Sequence, residues 1–266
     1  MNCKICKSKT KKIDVGYILN KYNVDYFQCE NCGFVQTEDP YWLDESYNEA
    51  ISISDTGVIY RNLLFSKVST FILSVLSKRK GVFLDYGGGY GIFTRLMRDY
   101  GYDFYSYDKY CDNLVSRGFD GDIKNNRYDC ITSFENFEHF ENPIDDIEKI
   151  FSLTDLVIFS TVLISLPAPK TGEWHYYCLE HGQHVSLFSK KSLEYIGLKY
   201  GYYFITNGSN FHIFSKSKIS PKIFLIEKII RKLGLFSLFK LKSKTVSDMN
   251  HIIKKQKFEK NSHNWS

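Results

Sequence analysis

The sequence predicts an α/β fold: a mostly parallel sheet with helices on both faces, preceded by a small separate module. Three observations predict it. Between residues 82 and 161, short apolar strands alternate with helical patterns, the arrangement that parallel strands with crossover helices require. Four glycines, at 87, 88, 89 and 91, stand between the first of those strands and the helix after it. Two Cys-x-x-Cys pairs, Cys3/Cys6 and Cys29/Cys32, lie in the first 40 residues, and Pro40 closes that stretch.

The elements follow in order. Apolar residues at Ile59, Leu63, Leu64, Val68, Phe71, Ile72, Val75 and Leu76 repeat at helical spacing, predicting a helix over 57–78. "VFLDY" (82–86) is a buried-type strand, and 91–100 is a helix ended by Gly101. "DFYSYD" (103–108) is a strand, "GFDGDI" (118–123) holds a short strand and a turn, and "YDCITSF" (128–134) is a strand. A helix over 143–152 opens with Asn142-Pro143, proline being favoured at a first helical position. "DLVIFST" (155–161) is a strand, a helix over 189–200 takes Ser189 as its N-cap, and "YYFITN" with "NFHIFS" forms a hairpin about Gly208.

Of the 266 residues, 43% are apolar, enough to bury a core. The charge is uneven. Residues 215–266 hold 13 Lys and Arg against three acids, so a chain of net charge +5 has a body of −5. The chain divides into 1–40, 41–216 and a basic, partly helical extension, 217–266. The polar start and the short, Ser- and Thr-broken stretch from Val68 to Leu76 predict neither a signal peptide nor a membrane span. A cytoplasmic location is therefore expected.

In a reducing compartment, paired Cys-x-x-Cys turns favour metal over disulfides. Cys3, Cys6, Cys29 and Cys32 form the donor set of a closed tetrahedral Zn²⁺ site, structural because no position is left for water. Unligated cysteines are the alternative.

The glycine spacing discriminates among ligands. Reading G-x-G-x-x-G/A from Gly87 puts Ile92 in the third slot, and reading from Gly89 puts Thr94 there. Both fail the dinucleotide pattern. Ile92-Phe93 stands where a P-loop needs Lys and a hydroxyl residue. What remains, Asp85-x-Gly87-x-Gly89-x-Gly91, resembles the first motif of the class I methyltransferases that use S-adenosylmethionine. The resemblance implies a seven-stranded Rossmann-like sheet with its last strand antiparallel. It implies that the loop passes the amino acid part of the cofactor and that Asp108, ending the second strand, binds the ribose hydroxyls. Asp122 in "DGDI" resembles the acidic residue beside the adenine, or is a turn residue. "SFENFEHF" resembles the signature after the fourth strand, ending in Glu138-His139, or these two cap a loop. The Lys-Pro-Gly-Gly turn of many members is replaced by "SLTDLVIF".

The stretch 172–202 packs Trp174, His175, Tyr176, Tyr177, Glu180, His181, Gln183 and His184 into eleven residues. "HVSLFSKKSLEYIGLKYGY" is similar to the acceptor-side signature of this family. A four-cysteine ribbon before such a core resembles a group acting on sugars and other small metabolites, over roughly residues 1–215. In its sugar C-methyltransferases a catalytic His matches His184 and follows a Glu, here Gln183. The chain also ends before the further C-terminal domain of those enzymes, so O-methylation is expected over C-methylation. His184 is the first candidate base, then His181, His139 and Glu138. The alternative for His184 is a residue that caps helix 189–200 or holds a loop. Trp174, Tyr176 and Tyr177 wall the acceptor pocket or belong to the core.

In the tail, Ile223, Phe224, Ile226, Ile229, Ile230 and Leu233 mix with basic residues. This amphipathic helix suits docking on the body, a dimer contact or an anionic membrane surface, and 254–266 is expected to fray. The whole reading is an S-adenosylmethionine-dependent O-methyltransferase acting on a small polar acceptor, a sugar or nucleotide-linked sugar of a surface (capsular) polysaccharide. Because the body is acidic, no nucleic-acid partner is expected. An RNA-binding or RNA-modifying methyltransferase and a sugar C-methyltransferase are the alternatives.

Overall fold

A computed structural model describes residues 1–47 and 55–263. The chain runs β1 (Thr10–Ile18), β2 (Tyr22–Cys29), β3 (Val35–Thr37), α1 (Leu43–Ser46), α2 (Val58–Val75), β4 (Val82–Tyr86), α3 (Ile92–Asp99) and β5 (Asp103–Tyr107). It continues through β6 (Cys130–Ser133), α4 (Pro143–Leu153), β7 (Leu156–Ser160), β8 (Ser186–Leu187), α5 (Lys190–Tyr200), β9 (Tyr203–Thr206), β10 (Phe211–Ser215), α6 (Lys222–Lys232) and α7 (Thr245–His263).

The main sheet has the order β5-β4-β6-β7-β10-β9. Strands β5, β4, β6 and β7 are parallel, and β10 runs antiparallel to both its neighbours. Side chains alternate across it with the period of two that a strand imposes. Leu84, Ile131, Val157 and Phe159 enter a core with α4, α5 and the cysteine module. Phe83, Phe104, Cys130 and Ile158 enter a second core with α2, α3 and α6. Both faces are thus covered, as buried parallel strands require.

The expected seventh strand is absent among the described residues. At 118–123 there is one parallel bridge, Ser106 to Asp120. Ser106 N–H donates to the Phe119 carbonyl and Gly121 N–H to the Ser106 carbonyl, both at 2.8 Å. The stretch cannot extend because Gly118 turns it with φ +83° and Asp122 starts a new turn two residues later.

Helix α2 is the one helix among the described residues long and apolar enough to cross a membrane, with a mean hydropathy of 1.2. It is longer than the stretch that the sequence singled out, and Phe65, Val68, Phe71, Ile72 and Leu73 pack into the second core.

The cysteine hairpin β1–β2 continues through β3 into β8, forming a second sheet with the body. The tail also docks. Ile223, Phe224 and Phe236 enter the second core, while Leu225, Ile226, Ile229 and Leu233 face out. Of the stretch expected to fray, the part through His263 is helical, and 264–266 lie outside the described residues. Its anchor is Asp248, which accepts from Arg98 Nε and Nη2 at 2.8 Å each and pairs with Arg95 at 2.9 Å. Arg98 and Asp248 are both buried, and breaking such a pair costs about 3–5 kcal/mol.

Candidate active site

Strand β4 leads into the glycine turn. Gly87 and Gly88 N–H both donate to the Tyr107 carbonyl at the end of β5, at 2.8 and 3.1 Å. Gly89 N–H donates to Asp108 Oδ2 at 2.9 Å, and Asp108 Oδ1 accepts from Tyr110 and Cys111 N–H. Asp108 therefore stands against the glycine turn and orders it. Gly91 caps α3 in the left-handed region at φ +81°, and a Cβ there would collide with the Asn113 side chain. Gly89 is also left-handed, at φ +54°, but a Cβ there would meet nothing within 4 Å. The turn is closed on one side and open where a ligand would approach.

Below the turn, Asp85 is 2% exposed and accepts from Thr132 Oγ1 at 2.9 Å and Thr94 Oγ1 at 3.4 Å. Burial pushes its carboxyl up to about 7. A cavity of about 140 Å³ lies over the turn. Gly87 to Tyr90 form one wall, Arg61, Asn62 and Phe65 of α2 a second, and Phe134 with Glu135 a third.

Glu135 escaped the sequence reading. It follows β6 with a left-handed φ of +50°, a sparsely populated conformation for a non-glycine residue. Its N–H donates to Ser160 Oγ at 2.7 Å, and Ser160 Oγ donates back to Glu135 Oε1 at 2.6 Å. Arg61 Nε is 3.7 Å from its other oxygen. Burial pushes this carboxyl up to about 7 as well. The available signal was its place in "SFENFEHF", as the first acid after an apolar strand.

Beside the cavity is a buried polar cluster drawn from separate stretches. Tyr176 Oη donates to Glu138 Oε1 at 2.6 Å. His184 Nδ1 is 2.7 Å from the Tyr176 carbonyl. A carbonyl only accepts, so Nδ1 carries the proton and Nε2 the lone pair. His139 Nδ1 is 3.4 Å from the Tyr47 hydroxyl, and the His139 and His184 rings are 5.0 Å apart. His181 is more distant, with its ring 6.5 Å from that of His184. Burial raises the Glu138 carboxyl to about 7, lowers His184 to about 4 and holds His139 well below the ordinary histidine value. Both imidazoles are neutral at neutral pH.

For Asp122 and for the aromatic residues 174–177 the structure bears on the alternatives that the sequence leaves open. Asp122 is exposed, and its carboxylate accepts from Lys124 N, Asn125 N and Asn125 Nδ2. It closes a local turn, the alternative that the sequence leaves open. Tyr177 is fully buried, donates to the Pro169 carbonyl at 2.7 Å and packs edge-on against Tyr26. It is core, not pocket wall. Tyr176 is buried too and serves the cluster through its hydroxyl, while Trp174 packs half-buried against both tyrosines. Gln183 Nε2 donates to the Ser46 carbonyl at 2.6 Å, so the residue in the place of the expected Glu is a tie to α1.

The four cysteine sulfurs lie within 4.8 Å of one another, with Cys3 to Cys32 at 3.6 Å and Cys6 to Cys29 at 3.4 Å. Tetrahedral Zn–S bonds of about 2.3 Å set an S···S edge of nearly this length, so the donor set fits zinc. The module braces the run into α5. Ser189 Oγ donates to the Cys32 carbonyl at 2.6 Å, and Phe34 packs on Phe188.

A family model described as a methyltransferase domain matches residues 60–207. Among solved structures, the chain is similar to a magnesium protoporphyrin IX methyltransferase from Synechocystis with bound SAH (14% identity, 66% of this chain and 94% of that one, TM-score 0.42). It is similar to the plantazolicin methyltransferase BpumL in complex with a triazolic analog and SAH (16%, 64% and 89%, TM-score 0.47). A third is a possible histamine N-methyltransferase from Thermotoga maritima (12%, 60% and 92%, TM-score 0.42). A search of curated proteins by sequence returned no match.

Proposed function

The chain belongs to the methyltransferase family, matched over residues 60–207, as an S-adenosylmethionine-dependent member. From that premise we propose that it methylates a hydroxyl of a small polar acceptor, a sugar or nucleotide-linked sugar of a surface polysaccharide. One observation carries this reading: a glycine turn open at Gly89 adjoins a buried cluster that holds a free imidazole lone pair at His184. The sugar rests on the resemblance of the string that begins at His184.

S-adenosylmethionine supplies an electrophilic methyl group. The chain has to hold the donor, align the acceptor oxygen and remove its proton. In this reading Gly87, Gly89 and Gly91 admit the amino acid part of the donor, and Asp108 accepts from the ribose. The acceptor oxygen meets the His184 cluster, where Nε2 is the lone pair available for its proton. Zn²⁺ on Cys3, Cys6, Cys29 and Cys32 stiffens the acceptor side and takes no part in the reaction.

The test is a calorimetric titration with S-adenosylhomocysteine, with NAD⁺ in parallel. S-adenosylhomocysteine should bind and NAD⁺ should not. Asp108→Ala should weaken binding about tenfold or more, the worth of one charge-assisted hydrogen bond. His184→Ala should leave it unchanged. No heat from S-adenosylhomocysteine would sink the reading.

A further inference from the structure

Glu138, His139 and His184 each bring one ligand atom within 4.8 Å of the other two. They reach this point from the turn after β6 and from the run into β8. Val185 N–H joins the two segments by donating to the Glu138 carbonyl at 3.0 Å. Such a cluster exceeds what one proton transfer needs.

The occupancy of its atoms is unequal. Glu138 is 0% exposed. Tyr176 engages its Oε1, while Oε2 is buried and has no hydrogen-bond partner among the described residues. Among the described residues no Lys or Arg forms an ion pair with it. Arg61, which lies nearby, is taken by Asp55 at 2.6 Å and faces Glu135. A buried carboxylate oxygen left without a partner is costly. His184 Nε2 is unprotonated because Nδ1–H is fixed on the Tyr176 carbonyl. A fixed Nδ1–H leaving Nε2 free is also how metal-binding histidines are oriented.

We infer that Glu138, His139 and His184 form a binding site for a divalent transition-metal cation, distinct from the four-cysteine cluster. Two imidazoles and one carboxylate give a net charge of −1 and a nitrogen–oxygen donor set, which suits Mn²⁺, Fe²⁺, Co²⁺ or Zn²⁺. Three protein ligands leave positions open, whereas four thiolates leave none. The site itself follows from the cluster geometry. Its role rests on the hydroxyl-transfer reading above: an acceptor oxygen held there is acidified. With the ion bound, His184 is a ligand and no longer the base named in that reading, and the hydroxyl proton goes instead to Glu135, the carboxylate in the cavity wall. The bond from oxygen to the methyl carbon forms as the carbon–sulfur bond breaks, with its electron pair left on sulfur.

Mn²⁺ and Co²⁺ are the probes, titrated calorimetrically into the full chain after the cysteine cluster is loaded with Zn²⁺. The expected result is one ion per chain. Glu138→Gln and His184→Gln should each weaken it at least tenfold, and Tyr176→Phe should retain it. The S-adenosylhomocysteine titration should stay unchanged in all three, which also reports that they fold. Absence of binding by both ions, or binding that survives both ligand substitutions, overturns the site. If S-adenosylhomocysteine still binds in that event, the methyltransferase reading stands without the metal. If the ion binds and S-adenosylhomocysteine does not, the site stands and its role falls.

Discussion

The glycine turn and the Glu138 cluster neighbour each other in the fold but are made of opposite material. The turn is backbone. Its amides are organised by the Tyr107 carbonyl and Asp108, within a short run of chain plus two consecutive residues at the end of the next strand. The cluster is side chain, drawn from Tyr47, Glu138, His139, Tyr176 and His184. A backbone site needs glycine at fixed spacing and so survives as a string. A side-chain site needs only that the fold bring its members together, and it leaves no spacing behind.

The largest effect that would break this comparison comes from the cysteine module. It touches the run into α5 through β3–β8 and Ser189, and among the described residues none of its strands pairs with β4 or β5. Cys29→Ser should lose the zinc, whose binding in small modules is worth about 10–16 kcal/mol. Amides 184–188 should then lose hydrogen-exchange protection by roughly tenfold or more, about 1.4 kcal/mol in the opening equilibrium. Amides of β4 and β5 should keep theirs. Equal loss in both places would mean that the two regions are one unit.

That asymmetry also explains what the sequence could disclose. The strand–helix alternation, the glycine turn, the cysteine pairs and the Ser189 cap are local patterns, and each appears where its spacing put it. Asp122 stays open in the sequence because a turn aspartate and a ligand aspartate look alike until the backbone donors around them are placed. Tyr177 stays open between pocket wall and core because its partner, Tyr26, lies some 150 positions away in sequence. Glu135 was missed because its left-handed backbone, which aims it into the cavity wall, has no composition signal.

A second test sets the two buried carboxyls against each other. Asp85 has a hydroxyl donor for each oxygen, and among the described residues Glu138 has one oxygen bare. Burial raises the folded-state value of Asp85 to about 7, above that of the unfolded chain. The folded protein therefore holds a proton there that the unfolded chain releases, and stability falls as pH rises from about 4 to 7. Asp85→Asn removes that dependence. Relative to the native protein, it should gain stability progressively across this window, to at most roughly 4 kcal/mol at pH 8, and gain little below pH 4. Urea denaturation at several pH values checks this. A flat difference across pH would show that the two threonines hold Asp85 ionised.

The smallest effect is the most local. Ser189 accepts from Ser192 N–H at 3.0 Å, capping α5, and donates to the Cys32 carbonyl. The cap alone is worth about 1 kcal/mol. Ser189→Ala should cost about 1–2 kcal/mol, since the Cys32 carbonyl also loses a buried donor. Measured in the Cys29→Ser background, the same substitution should cost only the cap, because the knuckle that presents the Cys32 carbonyl is gone. An unchanged cost would mean that Ser189 serves α5 alone and that the module reaches the acceptor side only through β3 and β8. A reduced cost would make this hydroxyl a second link between the cysteine site and the run that carries His184, beside the β3–β8 pairing and the Thr37 N–H that donates to the Val185 carbonyl.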